Sequence, residues 1–157
     1  MVNLLKQQYD FVCSARAVEL SFLKKFTEEQ LLTPVLEFNN KTIIYFAVHI
    51  NQVYIHWIGK FALDLDIAYI DKENIQTIAQ LNELFDKTNQ LMEKFCDTFG
   101  HNWNIEIDKN LTDKKIKTSP LKLFTHVITH EFHHKGQMMT MARILGKTPP
   151  DTDVIRT

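Results

Sequence analysis

The stretch Ser119–Pro150, SPLKLFTHVITHEFHHKGQMMTMARILGKTPP, carries both ends of a helix in its own residues. Ser119 is a favoured N-cap, its hydroxyl able to accept from a backbone N–H of the first turn. Pro120 takes the first helical position, where a missing N–H costs nothing. Gly146 suits the left-handed residue that ends a helix, and Pro149 and Pro150 prevent its resumption. One helix between Ser119 and Gly146 is therefore predicted.

Upstream of that helix, the segment 101–118 has no helical period. Its alternation WNIEI (Trp103 to Ile107) predicts a loop with a short strand. Before it, Ile75, Ile78, Phe85, Met92, Phe95 and Phe99 form an apolar stripe, with Asp71 as candidate N-cap and Gly100 as candidate C-cap. A further stripe runs through Ile43, Phe46, Ile50, Val53, Trp57 and Phe61, opening near Asn39 or Asn40 and interrupted by Gly59. Leu4, Phe11, Ala15, Val18 and Phe22 predict a first helix over about residues 3–26. A capping box, Thr27-Glu28-Glu29-Gln30, follows as a short helical turn, and Thr33-Pro34 breaks it. Four long amphipathic helices predict an all-α four-helix bundle, with residues 1–157 as a single domain.

Hydrophobic residues make up 45% and charged residues 24%, the balance of a chain with an ordinary packed core. A formal net charge of −1 gives no reason to expect nucleic acid or an anionic membrane as partner. No basic patch interleaved with aromatics argues for DNA. The longest apolar run, IIYFAVHI (Ile43 to Ile50), is too short to cross a bilayer and contains a histidine. The opening MVNLLKQQYD turns polar too soon for a signal peptide. Cys13 and Cys96 do not amount to a disulfide framework. A reduced, cytoplasmic protein is expected.

The chemistry-bearing residues are histidines. In a helix each residue advances about 100°, so His130 and His134 lie one turn apart on one side. His126 is a further turn back, and His133 is rotated away from His134. Two imidazoles at i, i+4 can hold one ion from a rigid platform, with a third ligand supplied by another element. His49 is the best-placed candidate, mid-helix beside Phe46, Ile50 and Val53. Three histidine ligands leave a coordination position open, the arrangement of a catalytic site. Imidazole suits zinc, nickel, copper and iron alike. The same spacing also fits a histidine-rich core helix that holds no metal.

His130, Glu131 and His134 spell H-E-x-x-H, the zinc-protease signature in which Glu is the general base. The downstream ligand it needs is missing: no His follows His134, and Asp151 and Asp153 are the only later carboxylates. Gly136 also stands one position too early for the metzincin continuation. A protease is not expected, and Glu131 is left as a residue beside the site.

The stretch PLKLFTHVITHEFHHKGQMMTMARILGKTPPDTDVI (Pro120 to Ile155) resembles the C-terminal helix of the DinB/YfiT-like superfamily. That family's pattern runs H-x3-H-x2-H-H-[RK]-G-Q, then apolar helix, Gly, Pro-Pro and Thr-Asp. AVHINQVYIHW (Ala47 to Trp57) resembles its second helix, where a His precedes a Trp by eight residues. The resemblance covers nearly the whole chain. It implies a DinB-like four-helix bundle, commonly a homodimer, with a divalent metal held by His49, His130 and His134. Zinc or nickel is expected ahead of iron, manganese or copper. His126 matches a frequent His that is not a ligand, Gln137 matches the family's Gln, and Lys135 stands where Arg is more usual.

Relatives of understood activity include S-transferases using bacillithiol and isomerases using mycothiol. The resemblance therefore implies a metal-dependent enzyme that joins a small thiol, of bacillithiol, mycothiol or glutathione-like kind, to an electrophile. Two other outcomes stand beside it. One is a non-catalytic, metal-stabilised dimeric scaffold, since no nucleophile can be named beyond the ligands; the other is a metal-dependent hydrolase.

Overall fold

A computed structural model describes residues 4–111 and 113–156. The chain is mostly helical: α1 (Leu4–Leu23), α2 (Glu28–Leu31), α3 (Ile43–Tyr54), α4 (Ile78–Phe99) and α5 (Pro120–Ile144), with a π-helix at Ile55–Ala62 prolonging α3. A hairpin of β1 (Ile107–Leu111) and β2 (Lys114–Thr118) separates α4 from α5, pairing antiparallel from Ile107 with Thr118 to Leu111 with Lys114. Among the described residues, no helix is long and apolar enough to cross a membrane.

The ends of α5 fall where Ser119 and Gly146 predict them. Ser119 accepts from Lys122 N. Gly146 adopts φ 79°. Gly146 N–H donates to Arg143 O and Lys147 N–H to Ala142 O, the paired bonds of a Schellman ending. The capping box at Thr27 and Gln30 also forms.

Other boundaries differ, each for a local reason. Asn39 and Asn40 do not open α3; both take positive φ in a tight turn closed by the Val35–Lys41 bridge. Thr42 caps α3 instead, accepting from Tyr45 N. Asp71 caps only the 3-10 turn Lys72–Asn74, and α4 begins at Thr77, whose capping box with Gln80 competes for the helix start. Gly100 does cap the C-terminus of α4, as expected, and does so in a right-handed conformation. The strand expected over Trp103 to Ile107 starts only at Ile107, because Ile107–Leu111 pairs with Lys114–Thr118 further along the chain. The first helix stops at Leu23, and the predicted start at residue 3 lies outside the described residues.

α3 packs on both α5 and α4, and α1 packs on α4 and α5, around one continuous apolar core. Tyr54, Phe95 and Phe124 are fully enclosed in it. Tyr9 and Tyr54 lie inside it, whereas Tyr69 is exposed. The hairpin is tied to the π-helix through Lys109, whose ammonium donates to Phe61 O and to Asp64. A cation at helix-end carbonyls satisfies acceptors that the helix cannot.

Candidate metal centre

Two helices build the site. On α5, residues four apart stack along one face, so His130 and His134 project together. On α3, Phe46 and Ile50 turn into the core and leave His49 half-buried at its margin. Because α3 packs directly on α5, His49 meets the α5 pair. The Nε2 atoms of His49 and His130 are 3.1 Å apart. Ring centroids are 4.8 Å apart for His49 and His134, and 4.5 Å for His130 and His134. One ring nitrogen from each of the three histidines lies within 4.8 Å of the others, a group able to hold a metal ion.

Two further observations test that fit. Gln137 Oε1 lies 2.5 Å from His134 Nδ1, which fixes Nδ1 as the protonated nitrogen and leaves Nε2 with the lone pair. That Nε2 is buried and has no hydrogen-bond partner. A buried polar atom left unpaired costs about 1–3 kcal/mol, and a metal ion removes the deficit. Nitrogens at about 2.0–2.1 Å from one tetrahedral ion sit roughly 3.3 Å apart, close to the His49–His130 spacing. The donor set therefore fits a divalent ion that accepts imidazole nitrogen.

Electrostatics favour the same state. Burial, reinforced by the neighbouring His134 and His49, pushes His130 down to about 4. His49 and His134 are also lowered, chiefly by burial, with the Lys72 charge contributing at His49. The imidazoles are thus neutral near pH 7, as metal ligation requires.

A cavity of about 390 Å³ opens on His49, His134 and Gln137, with Phe46, Tyr45 and Lys41 on its walls. Phe46 stacks on the His134 ring at 5.1 Å.

Glu131 belongs to different chemistry. Its carboxylate is buried and fully engaged: Arg16 Nε donates to Oε1 at 2.7 Å, while Arg16 Nη2 and the Tyr54 hydroxyl donate to Oε2 at 2.8 and 2.5 Å. Arg16 Nη1 reaches Asn89 Oδ1 at 2.7 Å, so the network joins α1, α3, α4 and α5 inside the core. Oxygens committed in this way do not serve a base, and the protease reading fails on geometry as well as on spacing.

His126 is exposed, its ring edge-on to Trp57 and 5.8 Å from that of His130. It lies outside the histidine group, as does exposed His133. His101 is exposed and His56 pairs with Tyr69. Cys13 and Cys96 line a separate cavity with Tyr9 and Asn89. Lys135 is buried and donates to the Thr152 carbonyl, pinning the segment after α5. Sequence reasoning missed Arg16 and Tyr54. The available signal was an arginine on the first helix of a chain with three arginines in all, at 16, 143 and 156.

The model of the DinB family matches residues 1–157, the whole chain. No curated protein matches it.

Proposed function

This chain belongs to the DinB family, and on that premise we propose that it is a divalent-metal-dependent enzyme whose ion is held by His49, His130 and His134. The observation that carries the reading is the buried, unpartnered His134 Nε2 in a three-histidine group beside an open cavity. Zinc or nickel is the first expectation for the ion, ahead of iron, manganese or copper. Bound there, a divalent ion supplies Lewis acidity, the means of making a small thiol nucleophilic near neutral pH.

The chain's own residues prepare that chemistry. Gln137 keeps the proton of His134 on Nδ1, and Phe46 holds the ring in place. The cavity admits a small molecule to the open side of the histidines. The substrates are a small thiol, of bacillithiol, mycothiol or glutathione-like kind, and an electrophile. The fold is read as a four-helix bundle of DinB/YfiT-like type, one domain over residues 1–157, homodimeric and cytoplasmic.

Elemental analysis of purified protein tests the ligand set. His49→Ala lowers bound divalent metal severalfold with helical content unchanged by circular dichroism; equal metal content in the variant removes His49 from the site. Metal-loaded protein is then offered several thiols with monobromobimane or chlorodinitrobenzene. Turnover that depends on metal and on His134 supports the transferase.

A second reading, a metal-stabilised dimeric scaffold, draws on the commitment of Glu131 to Arg16, which removes the carboxylate of the H-E-x-x-H match from service as a general base. Absence of turnover across thiols, and across ester and amide substrates for a metal-dependent hydrolase, favours it. Sedimentation at low micromolar concentration checks the dimer.

A further inference from the structure

The cavity beside His49 and His134 has a cationic rim. Lys41 Nζ lies 4.3 Å from the centre of the Tyr45 ring, and Lys72 Nζ lies 4.2 Å from the same centre. Tyr45 in turn stacks on His49, rings 15° from parallel and 6.4 Å between centroids. Lys41 and Tyr45 line the cavity that contains His49 and His134. Both also line an adjoining cavity of about 520 Å³, together with Lys72. The two spaces therefore share a wall of one tyrosine and one lysine, with the second lysine on the far side.

Lys41 and Lys72 are half-buried residues, their stems lying along the Tyr45 ring, and neither belongs to an ion pair among the described residues. Stems held along a ring bring two positive charges to one place without a protein anion between them, which raises the local positive potential. The tyrosine face holds each ammonium by about 0.5–1 kcal/mol, the value at an exposed site, and leaves its charge free for an anion. Nearby carboxylates do not fill the role. Glu37 and Glu73 line the same cavities but stay exposed and beyond ion-pair distance. Asp71 is exposed and spends its oxygens on Glu73 N and Asn74.

We propose that Lys41 and Lys72, held on Tyr45, form an anion-recognition rim that selects a negatively charged small molecule for the histidine site. The acidic group of the ligand pairs with the Lys41 ammonium on the shared wall, Lys72 adds its positive potential from the adjoining cavity, and the reacting end reaches His49 and His134. This inference rests on the metal-centre reading for the position of the reacting end, but the rim binds anions whether or not that reading holds.

The test uses a series of equal length: 3-mercaptopropane-1-sulfonate, 3-mercaptopropan-1-ol and 3-aminopropane-1-thiol. Binding to cobalt-loaded protein is followed by the metal's absorption bands. The Lys41 charge beside the sulfonate, reinforced by Lys72 across the shared wall, lowers its Kd about fivefold or more relative to the alcohol, and the amine binds weakest. Added salt shrinks the preference. A Lys41→Gln/Lys72→Gln variant binds the three thiols within about twofold of one another, whereas Lys41→Arg/Lys72→Arg retains the order. The same ranking in the Gln variant, or three thiols that all perturb cobalt with equal affinity in the wild type, overturns the rim.

A second arm needs neither metal nor sulfur. Propane-1-sulfonate is titrated into metal-free protein while the Cε–H resonances of Lys41 and Lys72 are followed by NMR. Saturable shifts of both support the rim, even if no thiol perturbs cobalt, in which case the thiol reading falls alone. Resonances that do not move, or move equally with propan-1-ol, overturn the rim whatever the thiols do.

Discussion

Gln137 sits one turn beyond His134 and accepts its Nδ1 proton, so a single amide sets the tautomer of the most buried histidine in the cluster. Outer partners of this kind are generally worth about 10–100-fold in metal affinity. Gln137→Leu is expected to raise the Kd for zinc within that range, read by competition with a chromophoric chelator, while the melting temperature of the metal-free protein barely moves. An unchanged Kd would show that the tautomer needs no holding. Lys135 presents a second single-residue question. Its ammonium reaches the Thr152 carbonyl and influences buried Glu19, whose Oε1 has no hydrogen-bond partner. Arginine, the more usual residue of the family's pattern here, brings five donors in a planar fork. Lys135→Arg is expected to give Glu19 a partner and stabilise the fold by about 1 kcal/mol, some 2–4 °C in Tm. A lower Tm would mean that the fork does not fit. The histidine pair was legible because i, i+4 spacing on one helix needs no tertiary information. Glu131 was not, because periodicity says which way a side chain faces and never which partner waits there.

Elements were legible where a cap has no competitor. Ser119 and Gly146 stand alone at their ends of α5, and both act as their residue types dictate. Asn39, Asn40 and Asp71 had rivals within a few residues, Thr42 and Thr77, and the rivals took the helices. The switch to π geometry after Tyr54 was not legible in the apolar stripe, which runs on to Phe61, a buried residue of the π-helix. What joins the elements is also local chemistry. Glu131 on α5 holds Arg16 of α1 and Tyr54 of α3, and Arg16 carries the network to Asn89 of α4. Removing one partner from a buried ion pair costs about 3–5 kcal/mol, mostly through the charge left behind. Glu131→Leu is therefore expected to lower the urea-unfolding free energy by that amount. Arg16→Met combined with Glu131→Leu should recover most of it, because the stranded charge is gone. A double variant no better than Glu131→Leu alone would place the value of the pair in its hydrogen bonds to Tyr54 and Asn89.

For the molecule as a whole, packed helices and a single core follow from the apolar stripes, while the hairpin at residues 107–118 did not, because its pairing is between segments too polar to carry a clear period. Stability against pH is a property of the same whole. Burial first, and then the charge of Glu131, push Glu19 up to about 8 from its usual 4.5. In the unfolded chain that carboxyl ionises at the ordinary value. Between the two values the native state holds a proton that the unfolded state has lost, so stability is fully present below pH 4.5 and drains away as pH rises through 8. The histidine cluster acts in the opposite sense. His130, lowered from 6.5 to about 4, contributes stability that is present above 6.5 and lost as pH falls through 4. The window from pH 6.5 to 8 therefore reports Glu19 free of His130. In metal-free protein, Glu19→Gln is expected to melt progressively higher than wild type across that window. Each pH unit on the slope is worth about 1.4 kcal/mol, or roughly 4 °C in a chain of this size. A gap between the two proteins that stays constant from pH 6.5 to 8 would mean that Glu19 is ionised in the folded core, with its charge met by Lys135 and Arg16.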